Sequence, residues 1–202
     1  MEAAGEVAWQ VAVVVAHPDD ETLWAGGLLL LSPRWRVVIA ALCRAGDPDR
    51  APRFEAAVRC LGATGRMADL EDEPEQAPLA EGVVEETVMG LVGDTRYDLL
   101  ITHGRRGEYT RHLRHEETSR AVTSLWERDR LQSARLWQFA YEDGGGAYLP
   151  RAAEGAPIRV PLPPEVWEEK YRILREVYGL AEDSKEAMTT PRVEAFWEVN
   201  RG

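Results

Sequence analysis

The six residues 11–16 (VAVVVA) form an unbroken apolar run rich in β-branched side chains, and the run stops at His17-Pro18. A strand of this kind has no polar face to turn to water, so it belongs inside a parallel sheet covered by helices on both sides. Proline cannot donate to a ladder, so the strand ends there. Similar runs recur at residues 36–42 (RVVIAAL), 98–102 (DLLIT) and 136–140 (LWQFA). Helical patterns lie between them, at residues 22–31, 54–61, 81–92 and 115–128. In the third of these, Val84, Val88, Leu91 and Val92 share one face. Gly26-Gly27 lowers the helix propensity of the first, and close packing of that helix on the sheet is its expected use. Strands alternating with helices predict an α/β fold with a doubly wound, largely parallel sheet. Residues 71–78, acidic and proline-containing, read as a loop. After Tyr141 the pattern changes. Glycines 144–146 mark a turn, residues 150–164 are proline-rich, and an amphipathic helix over 165–178 is closed by Gly179. The expectation is a single domain over residues 1–202, with a core at about 7–140 and a short, variable C-terminal segment at about 141–202.

Composition narrows the classes of partner. Of 202 residues, 45% are hydrophobic and 29% charged, the balance of a globular chain. The 35 acidic residues against 24 Lys and Arg give a net charge of −11, a surface that repels phosphate backbones and anionic lipid. Neither nucleic acid nor membrane is expected as a partner. No stretch approaches the ~18 consecutive apolar residues of a spanning helix. Residues 1–6 carry acid and no base, unlike a secretory signal. Two cysteines, Cys43 and Cys60, are too few to staple a domain, and they point to a reducing, cytoplasmic setting.

All four histidines fall near strand ends: His17 after the first strand, and His103, His112 and His115 at or beyond the end of the third. Ligands of open α/β sheets bind in the crevice outside the carboxyl ends of the strands. The densest cluster is His17-Pro18-Asp19-Asp20-Glu21. An imidazole and a carboxylate three residues apart, on the turn leaving a strand, can converge on one cation, and both are good zinc ligands. An acidic turn opening a helix is also favoured by the helix dipole alone. His115 is available as a third ligand. Three protein ligands leave a position open for water, the pattern of a catalytic site. His103 reads as a structural histidine and Cys43 as a small buried hydrophobe. Trp126, Trp137, Trp167 and Trp197 read as core or interface residues. GxGxxG is absent, so Gly26-Gly27 is no dinucleotide fingerprint.

Two segments, AHPDDETLWAGG from Ala16 and THGRRGEYTRHLRH from Thr102, resemble the PIG-L (LmbE-like) zinc-dependent N-deacetylase family. The likeness runs over about residues 11 to 125. It implies a Rossmann-like fold, a Zn2+ cofactor, and removal of an acetyl group from N-acetylglucosamine-type conjugates. By the same resemblance His17, Asp20 and His115 match the metal ligands, and Asp19 the general base. His112 matches the histidine that acts as acid or steadies the oxyanion, and Arg53 a substrate-contacting arginine. Tyr109 is placed to line the pocket. The chain departs from the family in having Leu113-Arg114, rather than an HPDH-like pattern, between the two histidines. That removes an aspartate available to hydrogen-bond and orient the histidines. It also predicts that Arg114 either disfavours the charged form of His112 or grips an anionic substrate.

The expected function is zinc-dependent hydrolysis of an N-acyl group, acetyl first, on an amino-sugar-like or related small molecule. Two other readings stand beside it. One is a catalytically impaired relative that binds metal or ligand without turnover. The other is an interaction module, assembled as a homo-oligomer, whose tryptophan-bearing C-terminal segment is the working surface.

Overall fold

Strand β1 (Gln10–Val15) lies third in a seven-stranded sheet and buries both faces, as its apolar run requires. It pairs in parallel with β2 (Arg36–Cys43), which carries β3 (Thr64–Leu70) beyond it. On its other side it pairs in parallel with β4 (Leu99–Thr102), followed by β5 (Leu136–Phe139). Val13 thus stands opposite both Ile39 and Ile101. The computed structural model describes residues 8–73, 77–93, 95–109 and 112–201. The acidic stretch 1–6, the middle of loop 71–78, and Thr110-Arg111 of the second motif lie outside the described residues.

Successive side chains of a strand point to opposite faces, which divides the interior in two. Val11, Val13 and Val15 join a core with Trp24 and Leu28 of α1 (Asp20–Leu31) and Phe54 of α2 (Arg50–Cys60). Ala12 and Val14 join a second core with Val84, Val88 and Val92 of α3 (Glu81–Val92) and Val122 and Leu125 of α4 (Leu113–Glu127). Helices on both faces of a mostly parallel sheet are the Rossmann-like, doubly wound arrangement that the alternation of runs predicts. Helix α2 begins at Arg50, four residues before the expected start. Pro52 is tolerated in its first turn, where the missing N–H would have no helical partner. Strand β3 went unpredicted because it is a half-buried edge strand without an apolar run.

The part after Tyr141 is more closely built into the fold than an appended variable segment would be. After a small hairpin of β6 (Tyr141–Glu142) and β7 (Arg151–Ala152), the chain forms β8 (Ile158–Pro161). It then continues through α5 (Pro164–Arg172), a π-helical turn (Ile173–Val177), α6 (Lys185–Thr189) and β9 (Val193–Val199). Strand β9 inserts antiparallel between β5 and β8, completing the order β3-β2-β1-β4-β5-β9-β8. It hid from sequence reading because Glu194 interrupts its apolar pattern. That carboxylate is fully buried and accepts the amides of Gly27 and Leu28 at 2.7 Å each and Lys170 Nζ at 2.7 Å. A side chain at Gly27 would meet Leu162 at 2.4 Å, so this glycine admits the C-terminal segment rather than the sheet. Helix α1 is consequently buried nearly all round. Among the described residues no helix is long and apolar enough to cross a membrane.

Removing one member of a buried ion pair strands the other charge. Lys170→Met is therefore expected to lower stability in urea melts by ~3–5 kcal/mol, with part of the loss recovered in Lys170→Met/Glu194→Gln. Equal stability of Lys170→Met and the parent protein would show that the pair does not clamp α1.

Candidate metal centre and its pocket

Strands β1 and β4 are neighbours at the point where the strand order reverses, and the crevice beyond their carboxyl ends is where such folds bind ligands. The chain leaves β1 through Ala16-His17-Pro18 and leaves β4 at His103. The Ala16 amide donates to His103 Nε2 at 2.9 Å, which joins the two exits. Asp19 has φ 111° and ψ −30°, a left-handed conformation that costs a non-glycine residue on the order of 1–3 kcal/mol. That turn starts α1 at once and brings Asp20 back on His17, whose amide donates to Asp20 Oδ2 at 2.9 Å.

The N-terminal turn of α4 delivers His115 from 98 residues away. His17 Nδ1 stands 3.2 Å from Asp20 Oδ2 and 3.2 Å from His115 Nε2, and His115 Nε2 lies 3.3 Å from Asp20 Oδ2. The opposite ring nitrogens are held by carboxylates: His17 Nε2 by Asp72 Oδ1 at 3.1 Å, and His115 Nδ1 by Glu108 Oε2 at 2.7 Å. With those nitrogens protonated and donating, two lone pairs and a carboxylate oxygen face a common point. Atoms at neighbouring corners of a zinc tetrahedron with ~2.0–2.1 Å bonds stand ~3.3–3.4 Å apart. The donor set therefore fits a divalent cation, with the carboxylate–histidine support usual around metal ligands. Against the cost of burial, His115 and His103 hold Asp20 well below the usual carboxylate range.

His103 is close, with Nε2 3.5 Å from Asp20 Oδ2, but the Ala16 amide occupies its lone pair. Its Nδ1 meets Glu108 Oε2 at 2.9 Å. It braces the turn, as a structural histidine does. Cys43 is buried and Cys60 exposed, and both are free.

A cavity of about 360 Å³ opens over the cluster, lined by Asp19, Arg44, Asp47, Arg50, Tyr109 and His112 among others. Asp19 Oδ2 accepts from Arg50 Nη1 at 2.9 Å. Burial and then the neighbouring Asp20 charge push Asp19 up to about 8, with Arg50 pulling the other way. The His112 ring stacks on His115 at 4.3 Å, and its buried Nδ1 has no hydrogen-bond partner among the described residues. Tyr109 is covered on one side by Lys185 Nζ, 4.2 Å from the ring centre.

Two expected substrate contacts are engaged elsewhere. Arg53 bonds Asp49 and the carbonyls of Val177 and Tyr178, tying α2 to the C-terminal segment. Arg50, one turn earlier, faces the cavity instead. Arg114 is buried and turned away from the cavity, bonding Glu71, Ala77 and Glu117. It neither reaches the pocket nor governs His112, which burial, then His115 and His17, bring down to about 3. Sequence reasoning missed Arg44, Arg50, Asp72 and Glu108 as parts of the site. Glu108 carried a signal, lying between His103 and His115 in a histidine-rich loop. Asp72 carried none, since nothing in an acidic loop marks which carboxylate turns inward. None of Trp126, Trp137, Trp167 and Trp197 lines the cavity.

In the metal-free protein, His112 is expected to stay neutral as pH falls from about 8 to 5, the range in which an ordinary imidazole charges. Unfolded chains take up that proton near the ordinary imidazole value of 6.5 and the folded chain near 3, so this group destabilises the fold as pH falls through that interval. A midpoint above 6 for the His112 ring in NMR titration would contradict this environment.

No family model matches the sequence, and no curated protein matches it. Solved structures do. A deacetylase of the teicoplanin biosynthetic pathway superposes with a TM-score of 0.73 at 16% identity, over 96% of this chain and 98% of that one. The N,N'-diacetylchitobiose deacetylase from Pyrococcus horikoshii gives 0.66 at 14%, over 95% and 84%. The 4-carboxy-2-hydroxymuconate hydratase GalB from Pseudomonas putida gives 0.66 at 14%, over 95% and 96%. At such identities the likeness establishes a shared fold over nearly the whole chain.

Proposed function

We propose that this chain is a zinc-dependent hydrolase of the PIG-L type that removes an N-acyl group, acetyl in the first instance, from an amino-sugar-like or related small molecule. The observation that carries the reading is the triangle of His17 Nδ1, Asp20 Oδ2 and His115 Nε2 at 3.2–3.3 Å, with the Asp19 carboxylate beside it at the floor of a cavity. The fold shared with two deacetylases supports it.

In this reading His17, Asp20 and His115 would hold the ion, which would supply Lewis acidity and lower the pKa of water toward neutral. Asp19 is the proton carrier. Its environment favours uptake of a proton, and Arg50 fixes the carboxyl so that the proton is exchanged at one place. His112 stays neutral beside the centre, so its imidazole is a hydrogen-bond partner for the developing oxyanion rather than a cation. Tyr109 lines the substrate side, and the half-exposed guanidiniums of Arg44 and Arg50 face the mouth. A cytoplasmic site of action belongs to the same reading, since both cysteines are free.

One comparison favours a second reading. The hydratase of the same fold adds water to its substrate, and two guanidiniums at the cavity suit a carboxylate-bearing molecule. Assays of acetate release from N-acetylated amino sugars, set against water addition to unsaturated carboxylates, separate the two.

Protein purified without added metal should carry close to one divalent ion per chain, zinc or iron in its place, and His115→Ala should lose it. Unchanged metal content in His115→Ala would remove this histidine from the ligand set. Asp19→Asn should keep the ion while turnover falls by roughly 10²–10⁴-fold. Loss of metal in parallel with activity would make Asp19 a ligand rather than the base.

A further inference from the structure

Arg114 lies between two histidines of the site in sequence and is only 2% exposed. Its guanidinium makes four bonds, none to a residue that lines the cavity. Nε donates to the Glu71 carbonyl at 2.6 Å, and Nη2 to Glu71 Oε2 at 2.6 Å and the Ala77 carbonyl at 3.1 Å. Nη1 donates to Glu117 Oε2 at 2.6 Å. The other Glu117 oxygen accepts the Leu79 amide at 2.8 Å. Arg114 therefore grips the chain just after β3 and again just before α3.

The next residue after Glu71 is Asp72, whose Oδ1 meets His17 Nε2. Its Oδ2 accepts from Arg44 Nε at 3.0 Å and Nη2 at 2.8 Å, and Arg44 Nη2 also bonds the Asp72 carbonyl at 2.9 Å. The ladder between β2 and β3 ends at the Cys43–Leu70 pair, so ladder bonds no longer fix the chain here. Two arginines hold the Glu71-Asp72 dipeptide instead, Arg114 at Glu71 and Arg44 at Asp72. Both make several bonds in fixed planes, which a lysine ammonium on a flexible stem cannot reproduce.

We propose that Arg114 is a positioning residue for the metal centre, fixing Glu71 so that Asp72 orients the His17 ring and its Nδ1 lone pair. The residue at which the chain departs from the family's second motif thus acts through a carboxylate from a different loop. This rests on the metal-binding reading above. Support for a ligating histidine by an outer carboxylate is typically worth 10–100-fold in metal affinity.

The test is a double-mutant cycle read in zinc affinity, by competition with a chromophoric chelator, with unfolding of the zinc-free proteins measured alongside. Asp72→Asn should weaken zinc binding by ~10–100-fold. Arg114→Lys should weaken it by about tenfold, and the double variant should bind no more weakly than Asp72→Asn, because the two act along one path. Glu71→Gln, at a half-exposed side chain, probes the same path without a buried change and should also weaken zinc binding. Wild-type affinity in Arg114→Lys with a lowered melting temperature would make Arg114 a fold clamp only and overturn the proposal. So would two losses that multiply in the double variant. Should Arg114→Lys fail to fold, undiminished affinity in Glu71→Gln overturns it alone. A wild-type protein that takes up no zinc would instead defeat the metal centre, and this proposal with it.

Discussion

Two imidazole lone pairs and a carboxylate oxygen within 3.3 Å of one another are an unfavourable arrangement unless positive charge sits among them, and much of this molecule is built to impose it. A strained Asp19 turns the chain so that Asp20 faces back on His17. Glu108 takes the remaining ring nitrogens of both His103 and His115, and burial notwithstanding, those two histidines bring its pKa down to about 2. Asp72 does the corresponding work for His17. Each of these carboxylates directs a lone pair by fixing the proton on the other side of a ring.

A centre so rich in acid needs counter-charge at a distance where it steadies the carboxylates without taking their place. Arg50 on Asp19, Arg44 on Asp72 and Arg114 on Glu71 and Glu117 provide it, each from a different element. Arg44 itself adopts φ 70°, so the backbone is strained at two non-glycine positions around one cavity. Strain gathered at a crevice, where packing elsewhere over-determines it, is the pattern of a site whose geometry matters more than its local stability.

The C-terminal third supports the centre from behind. Glu194 and Lys170 fasten the middle of α1, and Tyr178 donates its hydroxyl to Glu21 at 2.6 Å, one residue beyond Asp20. Helix α1 therefore presents Asp20 from a helix that is packed nearly all round rather than lying on a surface.

The strand runs, the break at His17-Pro18 and the histidines beyond two strand ends were enough to place β1, β4 and a crevice between them. Periodicity and proline act locally, and residues on the turns that leave strands are carried to the crevice by the topology itself. That is why His17, Asp20 and His115 come together although 98 residues separate the two histidines. What the sequence could not determine is which charges meet across elements. Nothing local separates Asp72 from the other acids of its loop, or turns Arg50 rather than Arg53 to the cavity. That choice comes from the earlier start of α2 and the approach of Val177 and Tyr178. Arg114 has sequence neighbours in the histidine cluster, yet its guanidinium bonds Glu71, Ala77 and Glu117 instead of lining the cavity. Strand β9 likewise can carry Glu194 into the interior only because Lys170 and two amides of α1 meet it there. A buried charge is readable in a sequence only through its partner, and the partner is chosen by tertiary packing.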